Sequence, residues 1–120
     1  MKEEIKRWID RAEADIRTAN NSFKSGDYYA SAFWCQQVAE KAFKALLIKR
    51  TKEFPKIHDL TRLAKLSNAP ARIIEVCAKL NPSYTASRYP DSPESYTQKE
   101  AEQMIDYCQE VLKWIQENLN

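Results

Sequence analysis

The stretch Phe23-Lys24-Ser25-Gly26-Asp27-Tyr28-Tyr29-Ala30-Ser31-Ala32-Phe33-Trp34-Cys35 decides the fold. It holds the single Gly of 120 residues and sits where one apolar periodicity stops and another starts. Upstream, Ile5, Trp8, Ile9, Ala12, Ile16, Ala19 and Phe23 recur at i, i+3/i+4, i+7 with charged residues between them, which predicts an amphipathic helix from about Lys2 to Phe23. Gly26 suits the C′ position, where a left-handed backbone is needed, and Asp27 suits an N-cap. Downstream, Tyr28, Ala32, Cys35, Ala39, Ala42, Phe43, Leu46 and Leu47 form a wide apolar stripe, predicting a second helix to about Arg50. Two long helices joined by so short a turn pack antiparallel.

One Gly also excludes a good deal. Phosphate-binding loops, dinucleotide-binding fingerprints and type I′ hairpins all need Gly for positive φ or close backbone approach. The remaining sequence continues the helical pattern. Lys52 to Lys56 reads as a loop, and a short helix is expected from His58-Asp59-Leu60, anchored by Leu60, Leu63 and Leu66. Ser67-Asn68-Ala69-Pro70 should start another, ending at Asn81-Pro82. Ser83 to Tyr96 reads as one long irregular crossover, a length that is uncommon and often functional. Thr97-Gln98-Lys99-Glu100 has the form of a capping box, opening a last helix to about Asn118 with Ala101, Met104, Ile105, Cys108, Val111, Leu112, Ile115 and Leu119 as its seam. The expectation is a single all-α domain over residues 1–120, an up-and-down bundle of three long and two short helices.

Nineteen Lys and Arg face seventeen Asp and Glu, a formal charge of +2, so no global field drives nucleic-acid binding, although a local basic patch is allowed. Cys35, Cys77 and Cys108 are odd in number and far apart, which suits buried free thiols in a reducing cytoplasm. With one His and dispersed carboxylates, no metal-ligand spacing is present, and no metal or cofactor is expected. The charged N-terminal segment lacks a signal-peptide core. No apolar run approaches the roughly 18 residues of a membrane span.

Five short motifs then follow one another along the chain. They are A-x-x-D-I-x-x-A (Ala12, Asp15, Ile16, Ala19), G-D-Y-x-x-A-x-F (Gly26 to Phe33), Q-x-A-E-K-A-x-K-A-L-L (Gln37 to Leu47), H-D-L (His58 to Leu60) and S-R-Y-P-D (Ser87 to Asp91). In this order the whole chain resembles the HEPN family of small helical domains. The resemblance implies a four- or five-helix bundle that often forms homodimers, and partnership with a minimal nucleotidyltransferase, commonly in toxin–antitoxin modules. It also implies a nucleotide- or RNA-binding role. The resemblance further implies a candidate activity, since many members of that family are metal-independent ribonucleases that use an Arg followed within a few residues by a His. Here Arg88 has no His after it, and His58 is the only His. General acid–base cleavage of RNA needs a group titrating near neutrality, so the leaning is toward a non-catalytic module.

Several residues are candidates for binding. Gln37, Glu40, Lys41 and Lys44 share one face of the second helix, opposite its apolar stripe. One reading is a solvated face whose Glu40–Lys44 pair contributes about 0.3–0.5 kcal/mol. The other is a polar groove floor, since Phe33 and Ile48 lie on the same face and an exposed apolar–polar–apolar stripe suits a partner surface. His58 is either an early-helix residue bonded to backbone or a donor to phosphate. Arg88 is either a loop clamp, paired with Asp91, or a phosphate fork, and Tyr84 and Tyr89 beside it can stack a base. Phe33, Trp34, Tyr107 and Trp114 either wrap the core edge or anchor an oligomer interface.

The leading expectation is therefore a homodimeric, cytoplasmic nucleotide- or RNA-binding module that partners a minimal nucleotidyltransferase. The alternatives are a metal-independent ribonuclease toxin with a displaced His58/Arg88 site, and a pure dimeric scaffold.

Overall fold

A computed structural model describes residues 2–86 and 96–120. The first helix, α1, spans Glu3–Lys24, and α2 spans Tyr28–Thr51. Two short helices follow, α3 (Leu60–Leu66) and α4 (Ala71–Leu80), then a single turn, α5 (Ser83–Ala86), and finally α6 (Gln98–Leu119). Among the described residues there is no strand. The expected all-α bundle is observed, with one extra turn: the crossover that reads as irregular from Ser83 opens in helical conformation, and Ser83 Oγ lies 2.7 Å from the Tyr96 hydroxyl just ahead of α6.

Local chemistry sets the boundaries. Gly26 has φ of +80° at C′ of α1, the conformation for which the sequence supplies its one Gly. Asp27 occupies the N-cap of α2 but makes no side-chain cap bond. Asp59 is the N-cap of α3, its Oδ1 accepting from Thr61 N at 3.0 Å, so α3 begins at Leu60 and His58 stays in the preceding loop rather than in the helix. Asn81, the C-cap of α4, accepts from Leu60 N and donates to Asp59, both at 2.8 Å, which locks the start of α3 to the end of α4. Ser67 does not cap α4. It bonds back to the Leu63 carbonyl at 2.8 Å as the C-cap of α3, and Pro70 takes the N-cap of α4. Thr97 and Glu100 form the expected capping box at α6.

The second helix is the central rod. Ser31 Oγ donates to the Ala19 carbonyl and Lys44 lies against Trp8, so α1 and α2 run antiparallel. Phe43 packs on Trp114 and Lys49 reaches the Leu119 carbonyl, so α6 runs in the same direction as α2, the short helices having carried the chain back. With α1, α6 and the short helices around it, α2 is buried on nearly every side, including Gln36, Glu40 and Lys44. That removes the solvated-face reading of its polar residues: Glu40 and Lys44 are only 4% and 6% exposed. Cys35, Cys77 and Cys108 are free and buried.

Candidate functional site

The buried polar residues of α2 are organised around one carboxylate. Glu40 accepts from Lys44 Nζ at 2.8 Å and from Gln36 Nε2 at 3.2 Å, and His58 Nδ1 lies 3.0 and 3.1 Å from its two oxygens. Burial pushes the Glu40 carboxyl up, but the hydrogen bonds from Lys44 and His58, the Lys44 charge and the Gln36 bond together hold it below the ordinary carboxylate range. Glu40 is therefore ionised at neutral pH. An ionised carboxylate can only accept, so Nδ1 of His58 carries the hydrogen and Nε2 is its remaining functional atom.

His58 is held twice. Gln36 Nε2 also donates to the His58 carbonyl at 3.1 Å, so the backbone of the loop and the imidazole are fixed by adjacent turns of the same helix. The His58 side chain nevertheless remains 55% exposed. Tyr84, on α5, brings its ring to 4.4 Å from the imidazole, and Phe33 lies edge-on to Tyr84 at 6.4 Å. The half-buried Phe33 and Trp34 rings form an edge-to-face pair at 5.3 Å. Lys41 lies 5.7 Å from the centre of Trp34 and is ion-paired to the buried Asp15 of α1.

Several residues that share a pattern in the sequence are also gathered by the fold: Glu40, Lys44, His58 and Tyr84 form one cluster, with Lys41, Phe33 and Trp34 alongside it on the same rod. Gln37 bonds to Gln36 at 2.7 Å and touches the cluster through it. Tyr107 and Trp114 belong elsewhere. The Arg72 guanidinium covers Tyr107 at 6.0 Å, and Trp114 packs on Phe43, so both sit along α6 at the edge of the core. Arg88, Tyr89 and Asp91 lie outside the described residues. Gln36 and Asp15 are site residues that sequence reasoning misses. Asp15 carries a signal, because it falls three after Ala12 and four before Ala19, in the buried register of α1. Gln36 carries none.

A family model for the HEPN domain matches residues 5–119. The chain belongs to the HEPN family. An archaeal HEPN homologue, ST0689, is 32% identical over the full length of both chains, with a TM-score of 0.83. TT1696 from Thermus thermophilus is 29% identical, covers 98% of this chain and 99% of its own, and superposes with a TM-score of 0.89. A HEPN domain protein from Thermotoga maritima, tm0613, shares the fold at 23% identity and a TM-score of 0.76, covering 94% of this chain and 97% of its own. No curated protein matches significantly.

Among the described residues, no group of three or more His, Cys, Asp or Glu is placed to hold a metal ion, and no helix is long and apolar enough to cross a membrane. Chemically, the cluster offers an imidazole oriented by a buried carboxylate, presenting Nε2 to solvent beside an aromatic ring. Protonated, Nε2 donates; neutral, it accepts a proton.

Proposed function

We propose that this HEPN domain binds the phosphate of a nucleotide or RNA at His58, as a non-catalytic, homodimeric partner of a minimal nucleotidyltransferase in a toxin–antitoxin type system. The observation that carries the binding site is the anchoring of an exposed imidazole by a buried, ionised Glu40. With Nδ1–H committed to the carboxylate, Nε2 is the atom left to meet a ligand, and a protonated Nε2–H is a charge-assisted donor to a phosphate oxygen. Tyr84 supplies a ring beside it. Arg88, four residues beyond Tyr84, is the second phosphate ligand of this reading. The half-buried Phe33–Trp34 pair supports a homodimer seam on the same side of α2.

The test is binding of RNA and nucleotides to wild type, His58→Ala and Arg88→Ala at low and moderate salt. Both variants should weaken binding. Identical, negligible binding by all three would sink the ligand. Sedimentation tests the dimer, and co-purification with a minimal nucleotidyltransferase tests the partnership.

A second reading draws on the same anchoring. A His oriented by a carboxylate through Nδ1, with Nε2 free for proton transfer, is the arrangement of a general base. On this reading the protein is a metal-independent ribonuclease toxin using His58 and Arg88. Cleavage of RNA in EDTA that disappears in His58→Ala would replace the binding module with the nuclease; intact RNA retires the nuclease.

A further inference from the structure

On the far side of Lys44 from His58, α1 and the loop after α2 enclose an open groove of about 680 Å³. Its floor is the half-buried Trp8–Phe54 pair, edge to face at 5.0 Å. Beneath the rings lies the buried Lys44 ammonium, 5.8 Å from the centre of Trp8 and 5.5 Å from that of Phe54. Lys44 does not line the groove, so the rings screen it and turn their other surfaces outward. Both rings also pack against the edge of the apolar core, yet each stays only half-buried. Their accessible side is what requires explanation.

The rim supplies the complementary groups. Arg7 and Arg11, 68% and 71% exposed, stand one helical turn apart on α1. Their nearest carboxylates, Glu3 and Asp15, are 3.9 and 4.0 Å away, beyond hydrogen-bond range. Both guanidinium forks therefore keep their donors for a ligand. Arg72, by contrast, has its fork closed on Glu110 at 2.9 and 3.1 Å. Glu4, also on the rim, offers an acceptor, whereas Asp10 is engaged by Lys6 at 2.8 Å. An aromatic floor, free Arg forks and one acceptor make up the complement of a nucleotide: a π-face, phosphate oxygens and an N–H donor on the base edge.

We infer that this groove takes a nucleobase, stacked on Trp8 and Phe54, with its flanking phosphate on Arg7 or Arg11. The inference rests on the phosphate reading of His58, because the Trp8 floor and the His58 imidazole are joined through the buried Lys44–Glu40 pair. The base comes either from single-stranded RNA or from a free nucleotide.

The experiment compares a short oligouridylate with an abasic ribose-phosphate strand of equal charge. It uses wild type, Trp8→Leu, Trp8→Phe and His58→Ala. Stacking of this kind sets the expected effect: Trp8→Leu lowers the preference for the based strand by roughly tenfold or more, and Trp8→Phe largely retains it. His58→Ala weakens both strands together and leaves the preference in place. An unchanged preference in Trp8→Leu, with His58→Ala still weakening both strands, overturns the groove and leaves the phosphate site standing. A wild type that binds neither strand overturns both. Because Trp8 also packs on the core, a second measurement uses the wild type: photocrosslinking to a 4-thiouridine strand should give adducts on Trp8 or Phe54, and adducts confined to other segments overturn the groove. Uridine monophosphate competing as strongly as the strand assigns the base to a free nucleotide; competition by the strand alone assigns it to RNA.

Discussion

The two long seams of α2 are built on different physics. Against α6, the rod is dry: Phe43 packs on Trp114, and Cys35 meets Cys108, whose hydrogen bond, together with burial, pushes the Cys35 thiol well above its ordinary value. Against α1 and the loop after α2, the same rod adds ions to the apolar packing of Ile5, Ile9, Ala12 and Ala19: Lys41 with Asp15, and Glu40 with Lys44 and His58. Apolar packing stabilises without needing a partner of opposite sign. Buried ion pairs are weak evidence for stability, since desolvation offsets much of their attraction. The dry seam therefore serves to hold the bundle together, and the ionic seam is the place to look for something stability alone does not require.

The largest expected effects come from breaking one element of each seam. Phe43→Ala, at a fully buried ring, should cost about 3–5 kcal/mol through lost transfer energy and the cavity left behind. Glu40→Ala should cost a similar amount, about 3–5 kcal/mol, for another reason: it leaves the Lys44 charge buried without a partner. Urea titrations of both variants measure these losses. The seams separate when the whole pair is exchanged. Glu40→Leu combined with Lys44→Met should recover most of the stability lost in Glu40→Ala, because apolar replacement of a buried pair is often neutral. Binding through His58 should stay lost, its anchor being gone. A double variant that stays as unstable as Glu40→Ala would show that the ions hold the fold themselves.

The difference between the seams also explains what can be read from sequence. The dry seam is visible as periodicity: Cys108, Val111, Leu112, Ile115 and Leu119 recur along α6, and all are buried. So are the devices that work within a few residues, the Gly26 turn and the Thr97 capping box. The ionic seam is visible only as a set of polar residues sharing a face. Its burial depends on Asp15, Trp8, Phe54 and His58, which arrive from other segments, and nothing local to α2 announces that they cover it. The turn at Ser83–Ala86 is hidden for a similar reason, since it has no apolar period of its own and is tied by Ser83 to Tyr96.

A smaller effect tests whether the ionic seam is tight along its whole length. Ser31 is fully buried near the turn end of α2 and donates across the seam to the Ala19 carbonyl at 2.9 Å. Ala19 O also serves the α1 ladder, so Ser31→Ala removes one neutral bond without stranding a charge. The expected loss is about 0.5–1.5 kcal/mol, well below that of Glu40→Ala. Equal losses would mean that the two ends of the seam fold as one unit.

The subtlest distinction is in acid. Groups on the dry seam carry no charge that titrates between pH 7 and 2, so its contribution should stay flat there. Glu40 is held below the ordinary carboxylate range, so its contribution is fully present above the unfolded value of about 4.3 and is lost as pH falls through the folded value. Asp59, pushed down to about 2 by Thr61 and Asn81, acts in the same direction, and its exposure makes its share small. Subtracting the two profiles isolates Glu40: wild type minus Glu40→Gln, followed by thermal melts from pH 7 to pH 2, should give a difference that shrinks on acidification while the Asp59 part cancels. A difference that stays constant down to pH 2 would mean that Glu40 stabilises by shape and hydrogen bonding alone. The chemical contrast between the seams would then reduce to packing.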